Sequence, residues 1–127
     1  MSEARILVVD DNPTNLKLAS DLLECFGYQI SKAMDAQQAL EAIEQTTPDL
    51  ILMDVGLPGM DGLALTRKLK ADDATKRIRI IALTSFAMKG DEQKAFDAGC
   101  DGYISKPINI NALPEQIAEF LRKEIPS

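Results

Sequence analysis

Four short segments hold the residue types from which phosphoryl or metal chemistry is built: Asp10-Asp11, Asp54, Thr84-Ser85 and Ser105-Lys106-Pro107. Histidine is absent, so the chain has no imidazole to act as general base, metal ligand or phosphoryl carrier. Its reactivity must come from carboxylates, Lys, Thr or Ser. Three carboxylates gathered in one crevice repel one another and need a cation or a Lys beside them to stay ionised together. Oxygen-only ligands suit a hard cation such as Mg²⁺, which takes few protein ligands and keeps positions open for phosphate oxygens. A Lys ammonium adds a point charge for a phosphoryl group, and a Thr hydroxyl adds a hydrogen-bond donor. Together they describe a phosphoryl-handling site with an Asp as possible nucleophile. Taken singly, each segment has a plainer explanation. An Asp pair after a strand caps a helix, an Asp at a strand end makes a turn, and a lone Lys is a solvated charge. The chemical reading requires a fold that brings all four segments together.

The hydrophobic pattern supplies such a fold. Ile6-Leu7-Val8-Val9, Leu50-Ile51-Leu52-Met53 and Ile80-Ile81-Ala82-Leu83 are continuous apolar runs, as expected for strands covered on both faces. Gln29-Ile30-Ser31-Lys32-Ala33 and Gly102-Tyr103-Ile104-Ser105 are mixed and read as edge strands. Helical segments lie between them. Asn12 caps a first helix with Pro13 at its first position, Leu16, Ala19, Leu22, Leu23 and Phe26 form its apolar face, and Gly27 ends it. A second helix starts near Asp35 and buries Ala36, Ala39, Leu40 and Ile43. A third runs from about Gly62 to Lys70. A fourth, about Lys89 to Ala98, has a weak apolar face of Ala95 and Phe96. A fifth, about Asn111 to Lys123, carries Leu113, Ile117, Phe120 and Leu121 on one side. Five βα units imply an α/β fold, a doubly wound five-stranded parallel sheet in the order 2-1-3-4-5 with five helices. This is the flavodoxin-like arrangement, with its crevice at the carboxyl ends of the strands. All four chemical segments fall at those ends.

Composition narrows the function classes. The 127 residues fit one domain, residues 1–127, with 46% hydrophobic and 27% charged residues. A net charge of −6 and no basic cluster argue against nucleic acid as a partner. The apolar runs are too short to span a membrane, and no signal peptide is visible. Cys25 and Cys100 lack CxxC spacing and fit a reducing, cytoplasmic setting.

VVDDN at 8–12, LILMD at 50–54, LPGMDG at 57–62, ALTS at 82–85 and GYISKP at 102–107 together resemble the response regulator receiver family of two-component signalling. The resemblance runs in order along essentially the whole chain. FAMKGDE at 86–92 further resembles the DivK-type single-domain regulators. By position, the resemblance implies Asp54 as phosphoryl acceptor, with Asp10, Asp11, Asp54 and the Gly56 carbonyl around Mg²⁺. It implies Thr84 and Lys106 on the phosphoryl oxygens, and Tyr103 as the aromatic that swings inward with Thr84. The Lys106–Pro107 bond is implied to be cis. Gly56 and Phe86 occupy the two positions that tune phosphoryl lifetime. Neither can orient a water by hydrogen bonding, so slow self-dephosphorylation is expected.

The implied phosphodonor is a histidine kinase or a histidine phosphotransfer protein, followed by a downstream protein partner. A regulated surface is expected on the fourth helix, fifth strand and fifth helix. A second surface, Leu18, Leu22 and Cys25 on the first helix, could dock the donor. The start at Met1 and the stop soon after the last helix suggest a complete protein, whereas the receiver part of a hybrid histidine kinase, or a phosphorelay intermediate, is the alternative. A dehalogenase-class hydrolase would need a second Asp two residues after its nucleophile, where this chain has Gly56. A flavodoxin would need a phosphate loop rich in Ser, Thr and Gly where this chain has Asp10-Asp11-Asn12. No enzyme activity beyond self-phosphorylation and slow self-dephosphorylation is expected.

Overall fold

The computed structural model describes residues 4–55, 62–84, 91–105 and 108–122. In chain order the elements are β1 (Arg5–Val9), α1 (Pro13–Cys25), β2 (Gln29–Ala33), α2 (Ala36–Gln45), β3 (Leu50–Asp54), α3 (Gly62–Ala71), β4 (Arg79–Thr84), α4 (Asp91–Ala98), β5 (Gly102–Ser105) and α5 (Leu113–Arg122). All strand pairs are parallel, in the order β2-β1-β3-β4-β5. The two mixed strands stand at the edges because only they have a flank facing water. β1, β3 and β4 are covered on both faces, which explains their unbroken apolar runs.

Alternation along each strand divides the core into two layers. Leu7, Val9, Ile51, Met53, Ile80 and Ala82 pack with Ala36, Ala39 and Ile43 of α2, Leu65 and Leu69 of α3, and Ala95 of α4. Ile6, Val8, Leu50, Leu52, Ile81 and Leu83 pack with Leu16, Ala19 and Leu23 of α1 and with Leu113 and Ile117 of α5. Each fully buried Leu or Ile stabilises the fold by about 1.5–3 kcal/mol over leaving it exposed.

Local chemistry sets the helix ends. The Asn12 side chain accepts hydrogen bonds from the Thr14 and Asn15 amides, and Asp35 Oδ1 accepts one from the Gln38 amide. The Gln38 side chain reaches back to the Met34 amide, closing the start of α2 from both sides. At the end of α1, Gly27 sits at φ +92°, its amide donates to Glu24 O, and the Tyr28 amide donates to Leu23 O at 3.3 Å. Those paired bonds form a Schellman motif, which requires the left-handed conformation that glycine adopts without strain.

Three expectations need correction. Phe26 is not part of the α1 core face: it is the C-cap residue, 61% exposed, because the chain leaves the helix before its side chain can turn inward. Phe96 is 42% exposed, leaving Ala95 and Ala98 as the buried contacts of α4 among the described residues. The last helix begins at Leu113 rather than Asn111, since Asn109 Oδ1 accepts from the Asn111 and Ala112 amides and holds a turn there first. The proposed starts at Lys89 and Gly90 of the fourth helix, and its end at Lys123 of the fifth, lie outside the described residues.

At the amino ends of the strands, Lys70 ties three segments. Its Nζ donates to the carbonyls of Lys76 (3.1 Å) and Ile78 (2.7 Å) and to Asp101 Oδ2 (2.8 Å). The same carboxylate oxygen accepts the Ile80 amide at 2.9 Å. The end of α3, the entry to β4 and the entry to β5 are thereby joined. Among the described residues, no helix is long and apolar enough to cross a membrane.

Candidate functional site at the carboxyl ends of the strands

The register assembles the acidic cluster. Val9 lies opposite Met53, so Asp10 falls one rung further, level with Asp54 on the adjacent strand. Asp10 continues the side-chain row of Ile6 and Val8, and Asp54 continues that of Leu50 and Leu52, so both emerge toward the same face. Asp11 follows at the mouth of the crevice. One carboxylate oxygen from each of Asp10, Asp11 and Asp54 lies within 4.8 Å of the others. Asp10 and Asp54 are buried, at 1% and 6% exposure, while Asp11 is exposed.

Backbone contacts hold the buried pair in place. The Asp10 amide donates to Ala33 O of β2 at 3.0 Å, and its Oδ1 accepts the Asn12 amide at 2.9 Å. Asp10 thus links β2 to the first turn of α1, which Asn12 itself caps. Beyond Asp54, the Val55 amide donates to Leu83 O at 3.0 Å, extending the β3–β4 ladder past the acidic residue. Like charges at 4.8 Å repel by about 1 kcal/mol per pair in water-like surroundings and about 3 kcal/mol at an effective dielectric near 20. A divalent cation reverses the sign of that energy. An oxygen-only donor set with one ligand at the solvent boundary suits a hard cation that keeps waters, as Mg²⁺ does.

Thr84 ends β4 and is 3% exposed. Leu83 pairs with Asp54, so Thr84 reaches the same sheet end one residue further along, beside Ser105 of β5. Tyr103 pairs with Ala82 and packs, half-buried, against the α2–α3–α4 layer. The structure therefore brings Asp10, Asp11 and Asp54 together and places Thr84 at the tip of the neighbouring strand. Gly56, Phe86, Lys106 and Pro107 lie outside the described residues. On α1, Leu18 is 41% exposed, Cys25 is exposed and Leu22 is half-buried, so the stripe expected there is partly solvent-facing.

Sequence reading missed the part that Gly62 plays. A Cβ built on Gly62 would overlap the carbonyl oxygen of Asp54 and lie 2.9 Å from both the Asp54 carbonyl carbon and Val55 Cα. The signal in the sequence is the second glycine of LPGMDG, which as a motif and helix start does not reveal this contact.

Comparison with known proteins agrees with this geometry. The family model of the response regulator receiver domain matches residues 6–118. The polar-differentiation response regulator DivK of Brucella anthropi is 44% identical over 116 residues, covering 91% of this chain and 94% of the relative. The same-named protein of Brucella ovis is 43% identical over the same shares. Among solved structures, the chemotaxis response regulator CheY4 of Vibrio cholerae superposes with a TM-score of 0.88 at 26% identity, covering 94% of this chain and 99% of that one. The receiver domain of a sensor histidine kinase from Pseudomonas aeruginosa superposes with a TM-score of 0.86 at 34% identity, covering 96% and 100%. That neighbour has a magnesium ion coordinated in its active-site cleft. With the sheet order, the acidic cluster and these matches in agreement, the chain belongs to the response regulator receiver family of two-component signalling.

Proposed function

We propose that Asp54 accepts a phosphoryl group from a phosphohistidine, within a receiver domain spanning residues 1–127. The observation that carries this reading is the convergence of Asp10, Asp11 and Asp54 to within 4.8 Å at the crevice of the sheet. In the transfer, an Asp54 carboxylate oxygen forms a bond to phosphorus while the phosphorus–nitrogen bond of the donor breaks. The electron pair of that bond leaves with the imidazole, which takes a proton from solvent. The product is an acyl phosphate on Asp54. Asp10, Asp11 and Asp54, with the Gly56 carbonyl, would hold Mg²⁺. When bound, it supplies positive charge that offsets both the acidic cluster and the phosphoryl oxygens.

Thr84 donates its hydroxyl to the new phosphoryl oxygens and Lys106 gives a compensating charge. Movement of Thr84 opens space beside β5 into which Tyr103 turns. The face of α4, β5 and α5 then changes its affinity for a downstream protein. α4 is suited to shift because its buried contacts Ala95 and Ala98 are small and Phe96 is 42% exposed. The partly exposed stripe of Leu18, Leu22 and Cys25 receives the phosphodonor, a histidine kinase or histidine phosphotransfer protein. Neither Gly56 nor Phe86 can orient an attacking water by hydrogen bonding, so the acyl phosphate is long-lived. A lifetime of seconds would contradict this, and Phe86→Asn should shorten it. Nucleic acid and membrane are not partners in this reading, and the setting is the cytoplasm.

A second reading, the receiver part of a hybrid kinase or phosphorelay intermediate, uses the same chemistry. The Pseudomonas neighbour, itself a kinase receiver, favours keeping it. The test is intact mass after incubation with acetyl phosphate. One added phosphoryl group in wild type, absent without Mg²⁺ and absent in Asp54→Ala, supports the proposal. Equal uptake by Asp54→Ala refutes it.

A further inference from the structure

The geometry points to the first turn of α3, through Gly62 and Thr66, as a positioning element that fixes the aim of the Asp54 carboxylate; the inference rests on Asp54 being the acceptor. Gly62 is buried against the peptide that follows Asp54. Its amide donates to Val55 O at 3.4 Å, while the Val55 amide on the opposite side donates to Leu83 O at 3.0 Å. Val55, the residue that follows Asp54, is therefore gripped between β4 and α3. The φ of Gly62 is not positive, as the described glycines with positive φ are Gly27 and Gly99. Space alone, rather than backbone conformation, excludes a side chain at this position. A Cβ there would overlap the Asp54 carbonyl oxygen and press at 2.9 Å on the carbonyl carbon and on Val55 Cα. All three are backbone atoms that cannot swing aside.

Thr66 locks the same turn from below. Fully buried, it donates its hydroxyl to Gly62 O at 2.8 Å and receives the Cys100 thiol at 3.9 Å. The turn is thus held at both ends, and a substitution at Gly62 must move either α3 or the end of β3. Ordinary carbon contacts lie at about 3.5–4.0 Å, so relief requires a shift of about 1 Å. A misplacement of about 1 Å in a reacting group costs on the order of 100-fold in rate.

The test uses the full chain with two readouts: the phosphorylation rate with acetyl phosphate and Mg²⁺, and Mn²⁺ affinity from loss of the free-ion electron paramagnetic resonance signal. Gly62→Ala is expected to lower the rate about 100-fold and to weaken Mn²⁺ binding. Leu69→Ala, about 10 Å further along the same helix, should lose thermal stability while keeping both readouts near wild type. Should Gly62→Ala fail to fold, Thr66→Val removes the hydroxyl bond to the Gly62 carbonyl without adding bulk. Its rate and Mn²⁺ affinity should both fall, and Thr66→Ser should restore them. Wild-type behaviour in a folded Gly62→Ala, or in Thr66→Val, overturns the inference while leaving the acceptor reading intact. So does an equal loss in Leu69→Ala. If wild type itself neither binds Mn²⁺ nor takes a phosphoryl group, the acceptor reading fails and the inference falls with it.

Discussion

Asp11→Asn should invert the ranking of two proteins according to whether divalent cation is present. Asp11 is exposed, and it faces the carboxylates of Asp10 and Asp54 within 4.8 Å. Replacing it with the neutral amide removes two like-charge interactions. Each is about 1 kcal/mol in water-like surroundings, and salt screens them further, so the gain should be about 1 kcal/mol without metal. For a domain of this size, that raises Tm by about 3–6 °C. With metal the ranking reverses. A ligand at ten times its dissociation constant stabilises the folded state by about 1.4 kcal/mol, and the variant has lost one charged ligand. Thermal melts in EDTA and across a Mg²⁺ titration would read both arms. The expected curves cross, with the variant more stable in EDTA and wild type more stable at high Mg²⁺. If Asp11→Asn is less stable than wild type in EDTA, or gains as much from Mg²⁺, the three carboxylates do not form a cation site.

Lys70→Met should destabilise the fold by about 2–3 kcal/mol, since two carbonyls and Asp101 lose a charged donor, yet phosphorylation at the opposite sheet end should persist. Chemical denaturation beside the phosphorylation assay checks both halves. Ser20→Ala should be neutral or stabilising by about 1 kcal/mol, because the buried Ser20 hydroxyl has no hydrogen-bond partner among the described residues. A loss exceeding that amount in a urea melt would show that the hydroxyl is satisfied in solution. Burial raises the Cys100 thiol from 9.0 to about 11, outweighing the opposing hydrogen bond with Thr66. Its folded-state value exceeds the unfolded one, so the stabilisation is complete below about pH 9. It is lost as pH rises toward about 11, by about 2–3 kcal/mol. Cys100→Ala should flatten that part of the stability–pH curve, and a thiol reagent should label the exposed Cys25 well before Cys100.

Much of the fold was legible because each interior strand must be apolar on both faces. Leu50 to Met53 could belong only to the middle of a covered sheet, and the mixed Gln29–Ala33 and Gly102–Ser105 only to its edges. The acidic cluster followed from strand ends alone, since consecutive parallel strands in this order bring Asp10 and Asp54 to one rung. Other features depended on where the chain turns. Helical periodicity assigned Phe26 to the core, but the Schellman motif ends α1 before that side chain can reach it. Asn109 delays α5 by a side-chain bond that periodicity does not register. Lys70 reads as a surface charge until the entry loops of β4 and β5 place their carbonyls around it. Gly62 reads as a turn residue until the spacing between α3 and β3 leaves no room for a Cβ.

The central claim is that Asp54 carries the phosphoryl group. Borohydride reduction of the acetyl phosphate-treated chain, followed by peptide mapping, tests it most directly, because an aspartyl phosphate is converted to homoserine where it stands. Homoserine at position 54, appearing only when Mg²⁺ was present, is the predicted result. Homoserine at position 10 or 11 instead, or none at position 54 in a protein whose mass shows phosphoryl uptake, would contradict the account.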